Sequence, residues 1–301
     1  DGTRAIHGVN GDALDDWSRG HFCYTSGIRD EIFRDCLSYC RGEDASVRGI
    51  PGDRPGTFAW GYNTSRVCID LMPQDGWIDC ECPRCEKARR PKGEKMRSTE
   101  LVWGVVAEVA TRLKAEGFEP ILTMMSYGPY ADVPRIDLPK NVRVMVALTG
   151  PWVMSRPEIA EADASYLAAW ERKTGCRPWI WTYPNRHPCN GLDIPNVPSW
   201  APGTWGAYYK TVAPHIMGIF AESETDRCID NLMGYYLLSR IAWDRQTDVG
   251  KVMDEFYRRM FGPAAAEMKA FESDTERTWL EKVCGRSVET ALGPQSYRGS
   301  C

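Results

Sequence analysis

Short apolar runs that alternate with amphipathic helical stretches constrain this chain more than any other feature of it. The runs are VCIDLMP (67–73), EPILTMMS (strand 119–125), VRVMVAL (142–148), RPWIWTY (177–183) and HIMGIFA (215–221), and HFCYTS (21–26) reads as one more. Between them lie stretches of helical period. Ile28, Ile32, Phe33 and Leu37 share one face; Leu101, Val102, Val105, Val106, Val109 and Leu113 make a stripe from Ser98 to about Glu116. Further helices are expected from Pro157 to Lys173 and around Ile229–Ile241. Ser98 suits an N-cap and Gly117 a C-cap. Strands apolar along their whole length must be covered on both faces, which means a parallel sheet layered with helices.

Six such strands fit an α/β fold of the (β/α)8 TIM-barrel kind whose first two strands lie upstream of Asp1. Residues 1–247 would then be a partial catalytic barrel. Residues 248–301, which read as helices alone (MDEFYRRMFG, then AAAEMKAFESDTERTWLEKV), would be a helical extension packed on it. The alternative is a six-stranded open, doubly wound sheet. No G-x-G-x-x-G or P-loop pattern follows any strand, which weakens its nucleotide-binding version. The chain begins with Asp rather than Met and no leader precedes the fold, so either processing or a gene fragment is expected. A barrel missing two strands has two open edges and is expected to self-associate.

The charge of -4 gives no basic footprint for nucleic acid or an anionic membrane. No run of 18 apolar residues is present to span a bilayer. Oligomeric state is not legible.

Barrel enzymes place their chemistry at the C-terminal strand ends. Those ends carry Asp75 with Trp77 after the second run, Tyr127 after the third, Trp181 and Tyr183 on the fifth, and Glu222 and Glu224 after the last. Carboxylates among aromatics, with no Ser/His pairing, suit glycoside hydrolysis: one carboxyl protonates the leaving oxygen and a second attacks, activates water or orients a substrate group. Asp75, Glu222 and Glu224 are the catalytic candidates; Tyr62, Trp77, Tyr127, Trp181 and Tyr183 are candidates for the sugar subsite. The plain alternatives are a turn cap for Asp75 and an arginine pair for Glu222. His21 and His187 have no visible partner, and the Asn63-Thr64-Ser65 sequon matters only in a eukaryotic secretory host.

Of the 12 cysteines, Cys80, Cys82 and Cys85 alone form a tight group, C-x-C-x-x-C. They could give three thiolates to a structural zinc, with a fourth ligand from elsewhere, such as Cys23 or a histidine. A disulfide and free thiols stay open beside it. In each case the group braces the Asp75 loop, and no cofactor is needed for catalysis.

The segment VCIDLMPQDGWIDCECPRCEKA resembles bacterial domain-of-unknown-function family 4838, with its strand, Asp-Gly and C-x-C-x-x-C. So does GIFAESETDRCIDNLMGYYLLSRIAWDRQTDVGKVMDEFYRRMFGPAAAEM, with a G-x-x-x-E strand end, a Tyr-Leu-x-x-Arg helix, a Trp-Asp and an E-F-x-x-x-x-[YF]-G. ILTMMSYGPY and KNVRVMVAL are similar to the strands between, so the resemblance spans most of residues 21–275. Part of that family is glycoside hydrolase family 163, endo-β-N-acetylglucosaminidases of complex N-glycans. Members look like relatives of retaining β-hexosaminidases and α-glucuronidases.

The resemblance implies a barrel behind a small α/β domain, a secreted or periplasmic setting, a glycan partner and two catalytic carboxyls. The chain departs from it by starting inside the barrel and by its surplus cysteines. Where the hexosaminidase relatives carry two adjacent acids at one strand end, Asp75 here is followed by Gly76 and Trp77. The resulting expectation is a retaining, substrate-assisted glycoside hydrolase of N-acetylglucosamine-containing or related glycans. A degenerate carbohydrate-binding barrel and a zinc-stabilised interaction domain are the alternatives.

Overall fold

The computed structural model describes residues 23–52, 54–61, 68–73, 77, 79–92, 95–148, 150–151, 157–184, 201–222, 232–283, 287–290 and 293–296. It is a mixed α/β fold. Five strands form one sheet: β1 (Cys68–Asp70), β4 (Ile121–Ser126), β5 (Val142–Ala147), β6 (Trp179–Thr182) and β7 (Ile219–Ala221), side by side in that order. β1 with β4 and β6 with β7 pair in parallel. Two hairpins stand apart from this sheet, β2 (Arg90–Lys92) with β3 (Lys95–Arg97) and β8 (Ser287–Thr290) with β9 (Gly293–Ser296). The chain divides into two compact units, one of residues 1–145 with 172–176 and one of 146–171 with 177–301.

In the first unit, α1 (Ile28–Cys40) packs on α3 (Thr99–Ala115). Every residue of the expected α3 stripe is buried, and Trp103 joins them at 0% exposure. The α1 face turned inward carries Phe33, Cys36 and Leu37. Ion pairs flank the contact, Arg29 to Glu108 at 2.9 Å and Arg112 to Asp30 at 2.8 Å, while the Arg112 guanidinium lies 3.9 Å from the Phe33 ring centre. α3 ends as its sequence predicts. Gly117 takes φ 86°, and the amides of Gly117 and Phe118 return to the carbonyls of Lys114 and Leu113, the paired bonds that close a helix through a left-handed residue. Ser98 occupies the N-cap position, but its hydroxyl does not cap the helix because it is spent on Asp79, 3.1 Å away.

The second unit holds α4 (Pro157–Thr174, through Glu171), α5 (Pro202–Val212), α6 (Leu232–Trp243), α7 (Val249–Phe261) and α8 (Ala265–Thr278). α5 links β6 to β7, as parallel strands require. It buries Trp205, Tyr208, Tyr209 and Val212. No side chain of its own caps it; Glu276 on α8 does so instead. One carboxylate oxygen accepts the Gly203 amide at 3.1 Å, and the other accepts the Thr204 amide and hydroxyl, both at 2.8 Å. An anion there also meets the positive end of the helix dipole. Close helix contacts depend on two glycines. A Cβ on Gly206 would lie 2.6 Å from Val249 Cγ1, and one on Gly234 would press into the Trp205 ring.

Three expectations change. HFCYTS is not a strand where it is described: Cys23–Ser26 is a turn, closed by the Ser26 amide and hydroxyl on the Cys23 carbonyl at 3.0 and 2.6 Å. These local bonds compete with any ladder. Beyond Asp248 the chain is not helical alone, since the β8–β9 hairpin follows α8. The helix α5 is additional to those expected from sequence.

Candidate functional site

The first unit gathers the cysteine group. Cys82 is the N-cap of the short helix α2 (Pro83–Ala88), and its sulfur accepts the Cys85 amide at 3.4 Å. Cys80 stands just before it, and the turn at Cys23 brings a fourth thiol to the same place. All four sulfurs lie within 4.8 Å of one another. Cys23 Sγ is 3.7 Å from Cys82 Sγ and 3.6 Å from Cys85 Sγ, and the Thr25 hydroxyl reaches Cys23 and Cys85 at 3.3 Å. The Cys85 amide, followed by the Thr25 hydroxyl, pulls the Cys82 thiol down to about 6. Such a cluster of four thiols can bind a metal ion. Of the four, Cys80, Cys82 and Cys85 were legible as a group; Cys23 stood in the sequence only as one choice of fourth ligand.

The segment that carries these thiols is also fastened to α3. Asp79 accepts the Trp77 indole N–H at 2.8 Å and the Ser98 hydroxyl, and pairs with Arg89 at 2.8 Å. Trp77 lies between Tyr24 and Tyr130, with ring centres 5.5 and 5.3 Å away, and Tyr127 meets Tyr130 edge-on at 6.5 Å. The structure thus brings Trp77 and Tyr127 into one aromatic group, with Tyr127 37% exposed at its end.

Sequence reading missed Asp70 at the end of β1. It accepts the Thr123 hydroxyl at 3.1 Å and the Met72 amide at 3.3 Å, and burial raises its carboxyl above the usual range. The signal was an acid inside the apolar run VCIDLM.

In the second unit the backbone continues the β6–β7 pairing one residue further, with the Glu222 amide on the Thr182 carbonyl at 2.9 Å. Glu222 therefore stands directly at the C-terminal end of β7. Its carboxylate accepts the Trp181 indole N–H at 2.9 Å. Trp181 packs against Phe220, its register partner, with ring centres 4.3 Å apart and planes tilted by 49°. Ile180 and Thr182 point the other way and are fully buried; the Thr182 hydroxyl meets Tyr209 at 3.2 Å. Tyr183 follows β6 and is half-buried. Asp75, Glu224 and Tyr62 lie outside the described residues.

A second missed carboxyl is Asp163 on α4. It accepts the Tyr208 hydroxyl at 3.2 Å, and burial pushes it up to about 6. The unfolded chain releases that proton near pH 4. The folded state therefore holds the proton more tightly, and the associated stability is full below about pH 4 and lost as pH rises through 6. Asp163→Asn keeps an acceptor for Tyr208 and carries no charge. It is expected to be more stable than the parent by about 1–2 kcal/mol at pH 7.5 and to show no gain at pH 4, by urea denaturation at both pH values.

Among the described residues no helix is long and apolar enough to cross a membrane. No curated protein and no solved structure matches the chain. The sequence profile of the domain of unknown function DUF4838 matches residues 59–272, a segment that runs from before β1 into α8. The chain belongs to the DUF4838 family.

Proposed function

We propose that this chain is part of a (β/α)8 glycoside hydrolase, with the five parallel strands as a portion of the barrel. Its substrate class is N-acetylglucosamine-containing or related glycans, and its mechanism retains configuration. The observation that carries the reading is Glu222 at the end of β7 with the Trp181 indole N–H on its carboxylate at 2.9 Å. A carboxyl held at a C-terminal strand end beside an indole can donate a proton to a glycosidic oxygen while the aromatic face meets a sugar ring. The indole bond and the contact of Trp181 with Phe220 restrict the rotation of both groups, which is what a reacting pair needs.

Asp75 and Glu224 stand as the other carboxyl candidates from the sequence. In the substrate-assisted form Asp75 orients a 2-acetamido group whose carbonyl oxygen attacks the anomeric carbon. A secreted or periplasmic setting and a glycan partner follow from the resemblance to family 163. Bond cleavage needs no cofactor, and a zinc ion at the four thiols serves the fold.

A panel of aryl glycosides, given to the full-length protein that carries the whole barrel, tests the reading. The expected result is release of the aryl group from the 2-acetamido-2-deoxyglucoside and slower release from the matching glucoside. Equal rates on the two would remove the substrate-assisted role of Asp75. No turnover on any glycan or glycoside, with sugar binding retained, would leave a carbohydrate-binding barrel instead.

A further inference from the structure

We infer that Cys23, Cys80, Cys82 and Cys85 form a complete tetrathiolate zinc site, and that its ion ties the turn before α1 to the segment holding Trp77 and Asp79. The inference rests on the structural-zinc reading above and is independent of the glycosidase chemistry.

The sulfur spacings separate a metal site from a disulfide, and the metal analysis below separates it from free thiols. A disulfide holds its sulfurs about 2.05 Å apart. Four sulfurs at the corners of a tetrahedron, each about 2.3 Å from zinc, lie about 3.8 Å from one another. The spacings from Cys23 are 3.6 and 3.7 Å, and all four sulfurs lie within 4.8 Å of one another. The group is therefore spaced for an ion and not for a bond.

The surroundings fit the same chemistry. Thiolates bound to zinc keep negative charge that nearby donors stabilise, and such outer donors orient the ligands. Here the Cys85 amide donates to Cys82 Sγ, and the Thr25 hydroxyl stands 3.3 Å from Cys23 and Cys85 and 3.6 Å from Cys82. No carboxylate or histidine joins the group among the described residues, and an all-sulfur tetrahedral set suits zinc and leaves no open position for substrate. Each thiol that coordinates releases its proton to solvent.

The mechanical consequence follows from position. Cys23 is separated from Cys82 by 59 residues and from Cys85 by 62, so the ion closes a long loop. At one end is the turn Cys23–Ser26 that leads into α1. At the other, Asp79 adjoins Cys80 and fixes Trp77, Arg89 and Ser98. The ion is thus a positioning element for Trp77, acting through Asp79 and Cys80.

The test is metal analysis of the protein purified under reducing conditions, joined to hydrogen exchange. One zinc per chain is expected, retained through gel filtration and released by a mercurial that modifies thiols. Cobalt in its place should give the strong sulfur-to-metal absorption of a tetrahedral tetrathiolate. Loss of the ion should speed amide exchange at 23–28 and 77–89 and leave α6 and α7 unchanged. Cys23→Ser should weaken zinc binding by about 100-fold or more, and the milder Thr25→Val by about 10-fold. Thr25→Val keeps every ligand and covers the case in which the cysteine variant fails to fold. Stoichiometric iron, disulfides among the four cysteines on non-reducing peptide mapping, or wild-type zinc affinity in Cys23→Ser would each overturn the assignment. None of these readouts depends on turnover, so a failure here and a failure of the glycosidase reading are separable.

Discussion

Glu222→Gln is expected to lower turnover of an aryl 2-acetamido-glucoside by about 10²–10⁴-fold, the usual contribution of a positioned acid or base. Gln keeps the volume of the side chain and an oxygen for the Trp181 N–H at 2.9 Å, so the geometry of the strand end should survive while the transferable proton is lost. The fall should appear in kcat more than in KM, because proton donation stabilises the transition state and hardly touches the bound ground state. A substrate whose leaving group needs no protonation, such as a dinitrophenyl glycoside, should lose much less. That contrast separates a proton donor from a residue that merely shapes the pocket. A variant with more than half of the parent kcat on both substrates would remove Glu222 from the chemistry and pass the role to Glu224.

The second large effect concerns packing. Gly234→Ala in α6 is expected to destabilise the protein by about 2 kcal/mol. The new methyl would sit 2.5 Å from Trp205 Cζ3 and 2.9 Å from Cδ2, and Trp205 is 1% exposed, so the ring has little room to retreat. Overpacking of this kind costs about 1–3 kcal/mol, against a helix-propensity gain of about 0.5–1 kcal/mol. Gly104→Ala in α3 is the internal control. Nothing lies within 4 Å of the place its methyl would take, so only the propensity gain should remain, about 0.5–1 kcal/mol of stabilisation. Urea midpoints for the two variants should therefore move in opposite directions. Equal shifts would mean that α5 and α6 are not in the close contact described.

Much of this fold is written locally and can be read from short windows. The α3 stripe and the Gly117 stop are set by neighbours in sequence, and both appear as expected. α5 was also written: Trp205, Tyr208, Tyr209 and Val212 fall at i, i+3, i+4 and i+7. It was hidden by Pro202, Gly203 and Gly206, which look like loop residues one at a time. Pro202 fits the first turn, where no amide bond is lost. Gly206 is small because Val249 comes close, a fact that belongs to tertiary structure. The Cys23 turn failed for the opposite reason. Its apolar and β-branched neighbours favour a strand, but Ser26 and the distant thiols decide its shape. At the site, Glu222 and Trp181 were each visible as strand-end residues; their hydrogen bond depends on the register of β6 with β7, which no local window contains.

The cap on α5 has a consequence for the order in which the chain is made. α5 is synthesised between β6 and β7, yet the carboxylate that receives its first amides belongs to Glu276, 73 and 72 residues after Gly203 and Thr204. While the polypeptide is still growing, those donors face water, and the crossover lacks the bonds that hold it in the finished protein. Until α8 has left the ribosome, the β6–α5–β7 unit remains exposed to competing associations, so α8 acts as the latch that completes a much earlier part of the message.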